Sequence, residues 1–188
     1  MTTLGRALAA ALHVTVLDTD DFYWMPTSPP YQTVCPPAER LALLSEAMDT
    51  AGQFVSSGSL DGWGDPLIPR FTTVIFIRTA TELRLARLRA REAGVFGAAA
   101  LAPGGAHHND HEAFIDWASG YDRGLQSGRN LQRHIAWIAT LPCPVLTLDG
   151  ARPIAELLAT TLAFLSRQDH RPIGLPMRSD KDDRGTES

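Results

Sequence analysis

Residues 3–12 carry an Ala/Leu pattern that predicts a helix, and Val14-Thr15-Val16-Leu17 follows as a short β-branched strand. That strand runs directly into Asp18-Thr19-Asp20-Asp21. The Pro-rich stretch 26–37 reads as loop, and residues 38–51 read as a helix stopped by Gly52. A second strand is predicted over 53–57, and a loop rich in Gly, Asp and Trp over 58–69. Residues 71–78 are the most strand-like run, feeding a helix over 81–91 with Thr81 as its cap. Residues 94–105 are small and expected to be flexible. Helices are predicted over 111–120 and 130–141, a strand over 145–148 and a closing helix over 153–165, before a polar tail, 166–188, expected to be disordered. No internal repeat is present. The alternation predicts an α/β chain with a parallel sheet covered by helices on both faces, its ligands at the carboxyl ends of the strands.

Composition narrows the function classes. At 188 residues the chain suits one domain, which would bury about 70% of its unfolded surface. With 44% apolar residues and a net charge of −4 it offers no electrostatic case for nucleic acid or anionic membrane. No apolar run approaches the roughly 20 residues of a membrane span, and no basic start followed by an apolar stretch marks a signal peptide. Cys35 and Cys143 lack any ligand-like spacing and read as buried thiols, so a reducing cytoplasm is expected. Of 17 basic residues only Lys181 is lysine, and it lies in the polar tail. Any phosphate must therefore be handled by arginine, whose planar fork binds oxyanions bidentately, or by backbone amides.

Several clusters carry candidate chemistry. Thr2-Thr3 at the start of the first helix fits two readings, an ordinary N-cap or the hydroxyl end of a phosphate-binding loop. Asp18, Asp20 and Asp21 follow a strand, where a carboxylate can accept a hydroxyl proton or hold Mg²⁺; the plain alternative is a solvated turn. Arg84, Arg87 and Arg91 share one helix face, and Arg129 and Arg133 form a second basic pair across the small-residue segment. They read either as solvated faces or as a lid that closes over phosphates. His107, His108 and His111 could present two imidazoles at a zinc-like spacing, but no glutamate stands where a metalloprotease needs its base and no third ligand is evident, and Trp117 with Tyr121 reads as helix packing. Trp63, between two glycines, is a candidate wall of an acceptor pocket.

Taken in order, Thr2 to Ala9, Leu17 to Trp24, Ser57 to Leu60, Gly62 to Pro66, Thr81 to Arg91, Asp116 to Ala118, Gly120 to Asp122 and Leu141 to Val145 resemble the P-loop nucleoside and nucleotide kinases. The likeness is greatest to bacterial adenylate kinase-like proteins, some labelled AAA-family ATPases. Asp20-Asp21-Phe22-Tyr23 also looks like the acceptor-side motif of uridine kinase-type enzymes.

The resemblance implies a three-layer kinase-like domain over 1–165, with a lid insertion around 92–130. It implies ATP and Mg²⁺ as cofactors and phosphoryl transfer to a nucleotide, nucleoside or similar hydroxylated acceptor. By position Thr2 and Thr3 would contact the nucleotide, Thr2 holding Mg²⁺ and Met1 standing where the family has lysine or threonine. Asp20 or Asp21 would activate the acceptor, Asp18, Tyr23 and Trp63 would line its site, and Arg87, Arg91, Arg129 and Arg133 would stabilise the moving phosphate. The family's first strand and glycine-rich loop have no counterpart in this sequence. The expectation is a start placed too far downstream, a chain with impaired ATP binding being the alternative. A gap of two strand spacings, about 10 Å, is expected in the sheet. A non-catalytic nucleotide-binding module and an inactive fragment are the rival functions.

Overall fold

The computed structural model describes residues 2–28, 31–124 and 128–169. Helix α1, Thr2–Leu12, buries Leu4, Gly5, Leu8 and Ala9 along one face, as i, i+4 spacing requires. It closes on His13, whose φ of 56° is the left-handed conformation that ends a helix. Strand β1, Thr15–Asp18, leads through the one-turn helix α2, Asp20–Tyr23, to α3, Pro37–Ala51, and then to β2, Phe54–Ser57. Pro37 opens α3 at a position that needs no N–H donor. Strands β1 and β2 pair in parallel, Thr15 opposite Phe54 and Asp18 opposite Ser57.

A 3₁₀ turn, Asp65–Arg70, precedes β3, Val74–Arg78. Helices α4, Thr81–Phe96, α5, Ala98–Leu101, α6, His108–Ser119, and α7, Leu131–Ile138, lead to β4, Val145–Asp149, and α8, Ile154–Asp169, follows. Strands β3 and β4 pair in parallel, Val74 opposite Val145 and Arg78 opposite Asp149. The chain is thus mixed α/β, with two separate two-stranded parallel sheets. Between them lies a cavity of about 330 Å³, walled by Phe54 to Ser57 on one side and Val74 to Ile77 on the other, with Leu4 and Leu8 of α1.

Two apolar clusters hold these units. Leu17, Leu44, Met48, Leu60, Trp63 and Leu67 pack under β1 and α3, and Leu4, Leu148 and Leu157 join α1, β4 and α8. Gly5 lets α1 approach β2 closely, because a Cβ there would lie 2.8 Å from the Ser57 Cβ.

Most elements lie near the positions the pattern predicts, but α2 and the 3₁₀ turn occupy stretches read as turn and loop, β3 begins at Val74 rather than at 71, and α7 ends at Ile138 rather than at 141. Residues 94–105, expected to be flexible, continue α4 to Phe96 and form α5, whose three alanines favour helix. The closing helix runs on to Asp169, past the expected boundary at 165. Met1 and residues 170–188, the bulk of the expected tail, lie outside the described residues. No helix among the described residues is long and apolar enough to cross a membrane.

Candidate functional site

The carboxyl ends of β1 and β2 are tied together before any side chain enters the site. Thr19 N–H donates to the Ser57 carbonyl at 2.8 Å, and Ser59 N–H donates to Thr19 Oγ1 at 3.2 Å. Gly58, with φ of +133°, faces that threonine so closely that any Cβ would collide with it. These contacts fix the start of α2. Asp20 opens that turn, its own N–H donating to Asp18 Oδ1 at 3.2 Å.

Asp20 keeps an exposed edge, yet enough protein surrounds its carboxyl to shift its ionisation. Desolvation first, then the neighbouring Asp18 and Asp21, raise its pKa above the ordinary carboxylate value, while Arg129 and Arg91 pull it down. The charges of Arg91 on α4 and Arg129 before α7 are thus felt at Asp20. Tyr23, one turn on, is the aromatic partner of this group. Its ring lies 6.2 Å from that of Trp63 and 5.6 Å from the Arg129 guanidinium. Trp63 is only 8% exposed, with its indole N–H donating to the Ser59 carbonyl at 3.1 Å, so this candidate pocket wall is part of the core.

Over 164 residues the chain is 35% identical to the uncharacterized protein YqaC of Bacillus subtilis (strain 168), a match spanning 87% of this chain and 90% of that protein. The chain belongs to the YqaC family. No family model matches it, and no solved structure does.

Within this member of the YqaC family the expected arginines divide into two kinds. Arg91 is exposed and keeps only a 3.9 Å contact with Glu92, and Arg129 lies over Tyr23. Arg87 and Arg133 are committed elsewhere. Arg87 donates to the Gly150 carbonyl at 2.6 Å, and Arg133 Nε lies 2.8 Å from Asp61 Oδ2, whose side chain is 5% exposed. Arg84 belongs to a third cluster, donating to the Thr79 carbonyl and to Asp122, with Thr81 also bonding that carboxylate. Together with the Arg84 bond to the Ala118 carbonyl and the 3.0 Å contact of His111 with Glu92, it ties α6 and the chain just beyond it to α4. Residues 125–127 of that lid lie outside the described residues.

Thr2 is half-buried and Thr3 exposed at the start of α1. Asp21 is exposed and Asp18 half-buried. The three histidines disperse: His107 against Phe96, His108 to the Leu101 carbonyl and His111 to Glu92. Among the described residues no three His, Cys, Asp or Glu side chains gather as a metal-binding group.

Sequence reasoning missed two features. Arg40 is buried against Tyr23 and Trp63, although its place in a charged first turn of α3 looks like a solvated one. Asp61 and His134 come together from positions far apart in the chain, their Oδ2 and Nε2 atoms 3.7 Å apart, and His134 Nδ1 meets the Tyr121 hydroxyl at 2.7 Å. Burial lowers the His134 pKa against the opposing pull of Asp61, and it raises that of Tyr121.

Proposed function

We propose that this chain catalyses ATP-dependent phosphoryl transfer to a small hydroxylated acceptor such as a nucleoside or nucleotide. The observation that carries the reading is the placement of Arg129 5.6 Å from the ring of Tyr23, on the same short helix that carries Asp20 at the end of β1; the charges of Arg129 and Arg91 oppose the raised pKa of the Asp20 carboxyl. Phosphoryl transfer needs a group to take the acceptor's proton and fixed positive charge for the phosphate oxygens. Asp20 has the first property, because a raised pKa makes the carboxylate a better base. Arg91 and Arg129 have the second, since neither is closely ion-paired among the described residues. Tyr23 and Trp63 flank the acceptor.

These residues fit the phosphates of a nucleotide better than they fit a bare metal ion. ATP supplies the phosphoryl group, and a magnesium ion arriving on its phosphates would be held by the Thr2 hydroxyl with the aspartates. In this reading the two sheets are halves of one P-loop-type parallel sheet with helices on both faces. Support comes from the parallel pairing within each half and from the cavity that β2 and β3 wall together.

The test is ADP formation by the purified chain with ATP, Mg²⁺ and a panel of nucleosides and nucleotides. Turnover that disappears in Asp20→Asn supports the proposal. Nucleotide binding without turnover for any acceptor leaves a binding module in its place.

A further inference from the structure

Among the described residues, the buried side-chain polar atoms that lack a hydrogen-bond partner belong to four residues, and three of these, Ser57, Asp61 and His134, line the cavity between the two sheets. A buried polar atom left unmet calls for a partner, and here the cavity is where that partner can sit. Leu8, Val55, Ile75 and Trp137 give the same cavity apolar walls. At about 330 Å³, and partly open to solvent, it has room for a small organic molecule.

Asp61 and His134 define what fits there. Arg133 Nε donates to Asp61 Oδ1 at 2.9 Å, so the carboxylate charge is already compensated while Oδ2 keeps no hydrogen bond. His134 Nε2 stands 3.7 Å from that Oδ2, too far for a direct hydrogen bond. With a carboxylate beside Nε2, the favoured tautomer carries its hydrogen there, and Nδ1 accepts from the Tyr121 hydroxyl. A donor and an acceptor thus stand side by side, unjoined. One hydroxyl satisfies both, accepting from Nε2–H and donating to Oδ2, whereas a carboxylate cannot donate and an ammonium cannot accept. We propose that the cavity binds a small, uncharged, largely apolar molecule through a hydroxyl group held between Asp61 Oδ2 and His134 Nε2. This does not rest on the phosphoryl-transfer reading, since neither Asp20 nor Arg129 lines the cavity.

NMR titration of the full chain near neutral pH with 2-phenylethanol, ethylbenzene, phenylacetate and 2-phenylethylammonium tests this. These probes share a phenyl ring and a two-carbon chain and differ in the terminal group. The expected result is saturable 2-phenylethanol binding that shifts the signals of Val55 and Ile75, with the other three about tenfold weaker or more, because each leaves a buried polar group unpaired. His134→Phe should bring the alcohol and ethylbenzene to similar affinity. A purely structural His134 leaves the preference for the alcohol unchanged in that variant, and overturns the proposal. Should His134→Phe fail to fold, Tyr121→Phe decides, because it releases the tautomer without removing the ring: a preference narrowed several-fold supports the site, and an unchanged one overturns it. Equal affinity of the wild type for the alcohol and ethylbenzene overturns the hydroxyl site. Absence of saturable binding by all four probes overturns the proposal as a whole and leaves the gap between Asp61 and His134 to water.

Discussion

The Tyr121 hydroxyl meets His134 Nδ1 at 2.7 Å, joining the chain just beyond α6 to the middle of α7. Because His134 is half-buried with a lowered pKa, the ring is held neutral near pH 7. The unfolded chain takes up a proton at this histidine before the folded one does, so stability falls as pH drops below about 6.5. Thermal melts of the wild type should show that decline between neutral pH and about pH 5. The slope should be shallower in His134→Gln, which cannot titrate. Tyr121→Phe should lower stability by about 1 kcal/mol, or roughly 2–4 °C in melting temperature, because it leaves Nδ1 without its partner.

Asp20 has the opposite sign. A raised carboxyl pKa means that the folded state binds the proton more tightly than the unfolded one, so the ionised form at neutral pH works against folding. Asp20→Asn is expected to raise the melting temperature at pH 7 while abolishing turnover. A variant that loses both stability and turnover would mark Asp20 as a structural cap.

Arg91 and Arg133 should separate cleanly. Arg91→Met removes an exposed guanidinium with one weak contact, so the melting temperature should hold while kcat falls about a hundredfold or more. Arg133→Met strands the buried Asp61 carboxylate and should destabilise by about 1–3 kcal/mol in urea denaturation. Its effect on kcat should be smaller than that of Arg91→Met.

Gly5 and Ser57 provide a test of the helix-to-strand contact. Gly5→Ala adds helix propensity, yet its Cβ would sit 2.8 Å from that of Ser57, so a net loss of about 1–3 kcal/mol is expected. Ser57→Gly in the same chain removes the opposing Cβ and should restore most of that loss. The double-mutant cycle therefore carries a favourable coupling energy.

Local periodicity was sufficient for the elements themselves. The Ala/Leu spacing of α1, the β-branched run before Asp18 and the apolar stretch of β3 are each short-range signals, and each element lies within a few residues of where the sequence places it. The aspartates at the end of β1 were legible for the same reason, since a strand end presents whatever follows it.

What an arginine touches is not a local property. Nothing in the repeat of Arg84, Arg87 and Arg91 along one helix tells that the first two bind Asp122 and the Gly150 carbonyl while the third stays exposed with only a 3.9 Å contact to Glu92. Arg133 finds Asp61 from 72 residues away, and Arg40 is buried only because α3 packs its first turn against Tyr23 and Trp63. Amino-acid order by itself determined the helices, the strands and the acidic turn, because hydrogen bonding and side-chain spacing within an element depend on near neighbours. The pairing of charges and the burial of Arg40 were decided by tertiary packing, which alone determines the dielectric and the partners that each charged group meets.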